Sequence, residues 1–264
     1  MVVRVGDVLD EIDRRVPFRT AAGWDAVGLQ LGDLRRPVSA VAVAHEITGS
    51  VVEDILARGV DLTITYHPLV FHPLPSVTAV AGPEGRSFAL VEGGVSVISV
   101  HTNWDVASGG TADCLAAELQ VEDVAGFGVM ETADGEPIPV GRHGSFDGTP
   151  ADLMDTVRTA LGSRPRAAGL GERRIRRVAV VPGSGGAYVD DAISVGADAY
   201  VTGDVSHHEA RRAVDHRMAV IDAGHGPTER PGVRALHSLV AEIVQSPVDL
   251  VGTDDTPWEV EWNG

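Results

Sequence analysis

Short apolar runs recur along the chain, and between them apolar positions return every three or four residues. Unbroken runs suit strands covered on both faces, and the three-to-four spacing suits helices packed on them. Residues 5–16 place Val5, Val8, Leu9, Ile12 and Val16 at helical spacing with acids and arginines between, which predicts an amphipathic surface helix. Runs over 39–44, 60–65 and 95–100 predict strands, and the patterns over 50–58 and 82–92 predict the helices that join them. Strand, helix, strand in this order implies βαβ crossovers and a parallel sheet. After Ser108-Gly109-Gly110 a helix is expected to run through Leu119, with Thr111 as its N-cap. From 121 to 142 the periodicity fades among glycine, proline and acids, and then the α/β grammar returns with a helix over 150–161 and strands over 177–181 and 198–203. The expectation is two α/β domains, 1–126 and 127–264, each three-layered with largely parallel sheets.

The chemistry collects where the strands stop. The run 60–65 ends on Tyr66-His67-Pro68, 96–100 ends on His101 with Asp105 four residues on, and 219–224 ends on His225 with Glu229 four residues on. Pro68 biases His67 away from the helical region, and the carboxyl ends of strands are where open α/β sheets keep their sites. Imidazoles and carboxylates delivered together suit zinc, iron or manganese better than calcium or magnesium, which prefer oxygen shells. The four-residue spacings would align each pair on one helical turn, although the glycines and Pro227 leave loops equally open. His45, ending the run 39–44, is a candidate ligand or supporting group, against the simpler role of serving its turn. Asp204, His207 and His208 load another strand end with titratable groups. Gly183, Gly185 and Gly186 form a loop that could turn backbone N–H groups toward a phosphate, but it lacks the lysine of a P-loop, and a plain tight turn fits as well. Trp24, in the glycine-rich stretch 23–32, reads as a core residue in a tight turn or as a cover over a cavity.

Composition narrows the function class. The 264 residues are 44% hydrophobic, enough for a sizeable core, and 21 Lys+Arg against 38 Asp+Glu give a formal charge of −17. That charge repels nucleic-acid phosphates and anionic membrane surfaces, so neither duplex nucleic acid nor membrane is an expected partner. Cys114 is the one cysteine, so no intrachain disulfide is available and metal binding must rest on histidines and carboxylates. The N-terminal 15 residues carry charges throughout without an apolar signal core, and a cytoplasmic location is expected.

In order along the chain, GWDAVGLQLG, TITYHPLVF, HTNWDVASGGTADCLA, GRHGSF, VAVVPGSGG, DAYVTGDVSHHEA and DAGHGPTE resemble the Nif-three-like (NGG-interacting factor) dinuclear metal-centre proteins, the GTP cyclohydrolase 1 type 2 homologues. The resemblance covers nearly the whole chain. It implies two α/β domains in a toroidal homohexamer, with one or two divalent ions (zinc, iron or manganese) per chain held between the domains. By position the metal ligands it implies are His67, Asp105, His225 and Glu229, the last bridging both ions, with His101 close by and residues 219–230 returning ligands to the shared site. Many bacterial members carry two consecutive histidines where this chain has Tyr66-His67, a form that resembles eukaryotic relatives. A neutral phenol is a poor ligand near pH 7. The resemblance suggests a metal-dependent hydrolase of the GTP-cyclohydrolase kind, acting on a nucleotide or another phosphorylated small molecule. In such a hydrolase His207, His208 and Asp204 are candidates for proton transfer or substrate contact, and Gly183, Gly185 and Gly186 are candidates for phosphate contact. The alternatives are a metal-binding or metal-delivery protein without turnover, and a scaffold whose metals only join its domains.

Overall fold

The computed structural model describes residues 3–252. The chain divides into two compact units, one made of the residues up to 18, 24–101 and those from 237 on, the other of 19–23 and 102–236.

The first unit opens with α1 (Val5–Arg15), whose Val5, Val8 and Ile12 are buried as the spacing predicts. Asp7 accepts the backbone N–H of Arg4 at the helix start, and Arg14 and Arg15 occupy the last turn, so both ends carry the sign that the helix dipole favours. Then come β1 (Gly28–Leu31), β2 (Val41–Ala44), α2 (Gly49–Ala57), β3 (Leu62–Thr65), α3 (Pro83–Glu92) and β4 (Ser96–Ser99). The order across the sheet is β1-β4-β3-β2, with β2, β3 and β4 parallel and β1 antiparallel at the edge. Every residue of β2, β3 and β4 is buried, which is why those segments read as unbroken runs instead of alternating ones. Ala42, Ala44 and Val97 share a core with Val51, Val52 and Ile55 of α2 and Leu90 of α3.

The second unit follows with α4 (Thr102–Val106), α5 (Thr111–Glu118), β5 (Glu122–Phe127), a two-stranded ribbon of β6 (Met130–Glu131) and β7 (Pro137–Ile138), β8 (Gly141–Gly148), α6 (Pro150–Leu161), β9 (Arg166–Ala168), β10 (Ile175–Ser184), α7 (Val189–Ser194), β11 (Ala199–Gly203), α8 (His207–Asp215) and β12 (Ala219–Asp222). Its sheet runs β5-β8-β10-β11-β12-β9 and is mixed: β10, β11 and β12 are parallel and the other pairs antiparallel. Val178, Val180, Ala199, Val201 and Ile221 share a core with Leu115 of α5 and Leu153 and Val157 of α6. The alternate residues Ala179, Val181, Tyr200 and Val220 share another with Val189 and Ala192 of α7 and Ala213 of α8. Neighbours in sequence thus enter opposite cores, as the two-residue period of a strand requires, and this unit is the expected three-layer sandwich. The chain leaves through α9 (His225–Val244) and ends the described part with β13 (Val248–Val251), which pairs in parallel with β2.

Three features differ from the reading of the sequence. The weakly periodic stretch 121–142 supplies β5, the separate β6–β7 ribbon and the start of β8, and the division between units falls at 101/102 and inside α9, away from the expected 126/127. β5 is a mostly exposed edge strand, so no apolar alternation marks it. Thr111 is the first residue of α5, and the N-cap is Gly110, where a Cβ would collide with the carbonyl oxygen of Trp104. Among the described residues, no helix is long and apolar enough to cross a membrane.

One device recurs in both units. Asp61, just before β3, accepts the backbone N–H groups of Ser39 and Ala40 at the entry to β2 (2.9 and 3.0 Å). Asp198, just before β11, accepts those of Arg176 and Arg177 in β10 (2.9 and 3.1 Å). In each case a carboxylate satisfies donors that lie ahead of the first parallel ladder bonds.

Candidate metal centre

In the first unit three neighbouring parallel strands stop level with one another. Ala44 is opposite Thr65, and Thr65 is opposite Ser99, so the residues just beyond emerge side by side. The ladder continues past the strands: Tyr66 N–H donates to Ala44 O, His67 N–H to His45 O (2.8 Å) and Val100 N–H to Thr65 O. Thr65 Oγ1 donates to His67 O, closing the turn before Pro68. The result is a packed group of four rings. His45 and His67 have centroids 4.6 Å apart, His67 and His101 5.4 Å, and Tyr66 lies 5.1 to 5.6 Å from all three imidazoles. One ring nitrogen of His45 and one of His67 lie within 4.8 Å of each other, a separation that a shared cation can span with each bond near 2.0–2.1 Å and a small adjustment of the rings. His101 Nδ1 pairs with Asp25 Oδ1 at 2.9 Å, and the Asp25 carboxyl is fully buried. Because a carboxylate only accepts, it fixes the proton on Nδ1 and leaves Nε2 as the lone-pair nitrogen. Tyr66 is fully buried among the imidazoles.

The second unit builds a carboxylate–imidazole group at the ends of β11 and β12. Asp204, the residue after β11, takes a left-handed backbone (φ 54°), and Gly224 (φ 91°) turns the chain from β12 into α9. His225 and Glu229 therefore sit on the first turns of that helix, and the helical option for their spacing is the one realised. His225 Nδ1 meets Asp204 Oδ2 at 2.6 Å and its Nε2 meets Glu229 Oε1 at 3.1 Å. Burial pushes the His225 pKa down, but the hydrogen bond and charge of Glu229, then those of Asp204, outweigh it and raise it to about 9. Without a metal, an imidazolium thus balances two carboxylates, one of them the buried Glu229. A divalent cation displacing that proton would satisfy the same charges, so the donor set fits zinc, iron or manganese. Asp105 lies half-buried on α4; burial first, then the charges of Asp191 and Asp105, push the Tyr188 phenol up.

In the glycine loop two of the N–H groups already have acceptors. Gly183 N–H donates to Thr228 Oγ1 and Gly185 N–H to Gly203 O. A Cβ at Gly183 would come within 2.4 Å of Glu229 Oε1, one at Gly185 would strike Thr202 and Tyr200, and one at Gly186 would strike Glu209. These glycines let β10 pass directly behind Glu229 and its neighbours. His207 and His208 are exposed at the start of α8, where His207 helps to line a cavity of about 220 Å³ with Arg166, Val205 and Asp222. Asp204, expected to move protons, is committed to His225. His45 is the residue that the sequence weighed least and the structure seats most firmly beside His67; its signal was the shared pattern of an apolar run stopping on histidine.

A sequence model of the Duf34/NIF3 (NGG1p interacting factor 3) family matches residues 3–256. A Clostridium perfringens protein named GTP cyclohydrolase 1 type 2 homolog is 27% identical over 256 residues, 94% of this chain and 95% of the relative. A Streptomyces coelicolor protein of the same name is 32% identical over 241 residues, 86% and 82% of the two chains. Among solved structures, a Staphylococcus aureus protein superposes with a TM-score of 0.85 at 25% identity, covering 98% of this chain and 99% of its own. A Bacillus cereus protein related to NIF3 superposes with a TM-score of 0.89 at 20% identity, covering 99% and 100%, a likeness of fold alone.

Proposed function

The chain belongs to the Duf34/NIF3 (NGG1p interacting factor 3) family, and from that premise we propose that it is a divalent-metal protein working as a metal-dependent hydrolase, resembling the GTP cyclohydrolase 1 type 2 homologues among its relatives. In the first unit the proposed donors are His45, His67 and His101, and in the second, taken by itself, Asp105, His225 and Glu229; the proposed load is one or two ions of zinc, iron or manganese per chain. The observation that carries the reading is that imidazoles come with their orienting carboxylates already in place, Asp25 on His101 and Asp204 on His225. That pattern accompanies metal ligation, because a partner on one ring nitrogen fixes the tautomer that offers the other.

A bound ion supplies Lewis acidity to polarise a scissile group. The protein's own part is to hold the donors. Asp204 keeps His225 aimed from the end of β11, Thr228 and Gly183 lock the backbone behind Glu229, and Thr65 closes the turn that presents His67. Tyr66, adjacent to all three imidazoles, excludes water from their inner side.

The test is to load the chelator-stripped protein with zinc, manganese or iron(II), measure ions per chain, and incubate each form with GTP while following its consumption chromatographically. Metal uptake with metal-dependent consumption of GTP supports the hydrolase reading. Uptake without turnover of GTP leaves the metal-binding or delivery alternative, and absence of uptake removes both.

A further inference from the structure

Among the described residues, the exposed Trp, Tyr and Phe side chains are Trp24, at 64%, and Phe71, at 41%. They come from different loops and lie on one another, with ring centroids 5.9 Å apart and planes at 60°. Trp24 also meets His101 in a T-shaped pair, with centroids 6.4 Å apart and planes at 71°. An isolated exposed aromatic is ordinary, but two meeting beside a group of imidazoles are not explained by chance exposure. Nor is the pairing left to loop motion. The Gln30 side-chain nitrogen donates to Ala26 O (2.9 Å) and Val70 O (3.0 Å), while its oxygen accepts Val70 N–H (3.0 Å), so one amide ties the Trp24 loop to the Phe71 loop. The segment 68–83, which carries Phe71, holds no Asp, Glu, Lys or Arg in a chain of net charge −17.

We propose that Trp24 and Phe71, held in place by Gln30, form a stacking site for a planar heteroaromatic ring, such as a nucleobase or a pyridine, whose edge then faces His101. A tilted pair offers one open face and one bracing edge, the arrangement by which aromatic side chains take flat rings without reading their hydrogen-bond pattern. The segment 68–83 around Phe71 presents no charged Asp, Glu, Lys or Arg side chain to a neutral ring. The inference rests on the metal-hydrolase reading only for the fate of the ligand; binding does not need the metal.

The experiment uses the full chain, both metal-loaded and chelator-stripped, with guanosine, cytidine and nicotinamide as probes and ribose 5-phosphate as the control without an aromatic ring. Binding is read by calorimetry, and upfield shifts of the ligand ring protons report stacking. At least one ring probe should bind wild type in both metal states, more weakly by about five- to a hundredfold in Trp24→Leu, with recovery in Trp24→Phe. Trp24 is exposed, so the leucine variant should fold as wild type does, and its circular dichroism checks this. Failure of all three probes to bind, equal affinity in wild type and Trp24→Leu, or ribose 5-phosphate binding as well as the ring probes would each overturn the proposal. So would a Trp24→Leu variant whose only change is a smaller assembly in ultracentrifugation, which would make the pair a contact between copies. Absence of metal uptake with ring binding intact would sink the hydrolase reading and leave the stacking site standing.

Discussion

His67 donates its backbone N–H to the carbonyl oxygen of His45 across 2.8 Å, so both imidazoles hang from one rung of the extended β2–β3 ladder. Neither side chain carries the packing of the strands beneath, which are buried through Val41–Ala44 and Leu62–Thr65. His45→Ala and His67→Ala are therefore expected to lose metal affinity by more than about tenfold each while unfolding near the wild-type temperature. Elemental analysis of the purified variants checks it, and wild-type metal content in His45→Ala would remove that residue from the ligand set.

Asp204 touches His225 from the side away from Glu229, at Nδ1 instead of Nε2. Replacing it by asparagine keeps the shape and loses the charge that fixes the imidazole. Metal affinity should fall about 10- to 100-fold, less than in Glu229→Gln, where a proposed ligand itself is neutralised. Parallel titrations with zinc give the order, and equal losses would argue against the supporting role.

Gly183 combines a left-handed backbone (φ 64°) with a Cβ position 2.4 Å from Glu229 Oε1. Gly183→Ala must strain the turn, at about 1–2 kcal/mol for the left-handed conformation, and move Glu229 as well. Lower thermal stability and lower metal content should appear together. A variant that is less stable but fully loaded would show that Glu229 need not stay where Gly183 leaves it.

Tyr66→His replaces the fully buried phenol among three imidazoles with a fourth nitrogen donor. Manganese stoichiometry per chain is expected to rise toward two, and Tyr66→Phe should leave it unchanged. Tight binding of two ions by wild type would sink the idea that the phenol weakens a site.

Burial would raise the Asp61 pKa, but hydrogen bonds from the Ser39 hydroxyl and from the backbone of Ser39 and Ala40, with the Arg36 charge, outweigh it and hold the carboxyl below its ordinary value. A depressed folded-state pKa adds stability that is present above the unfolded value and fades as pH falls through the folded one. Asp61→Asn should thus cost about 1–3 kcal/mol at pH 7, and the gap to wild type should narrow toward pH 3. Urea unfolding at both pH values measures it; a gap that stays constant would mean that the charge contributes nothing.

The placement of these side chains could be read from the chain because buried parallel strands write themselves as apolar runs, and a histidine or carboxylate ending such a run stands out. His67, His101 and His225 each follow such a run, and His45 obeys the same rule. The glycine loop was less legible, since a Pro-Gly-Ser-Gly-Gly sequence announces a turn but not which acceptor its N–H groups take. Here Gly183 and Gly185 spend theirs on Thr228 and Gly203. The division of the chain was least legible. β5 lies exposed at a sheet edge and shows no alternation, and β13 pairs with a strand from the other end of the chain, a partnership that no local pattern encodes.

That last pairing sets an order on synthesis. β2 is made early, but its outer edge stays open until residues 248–251 arrive to form β13. Every strand of the second sheet has been made before then. A nascent chain emerging from the ribosome therefore carries, until translation nears its end, an apolar strand whose outer edge lacks its β13 partner. Truncations that lose β13 are expected to leave that edge of β2 open and to aggregate through the first unit while the second still folds.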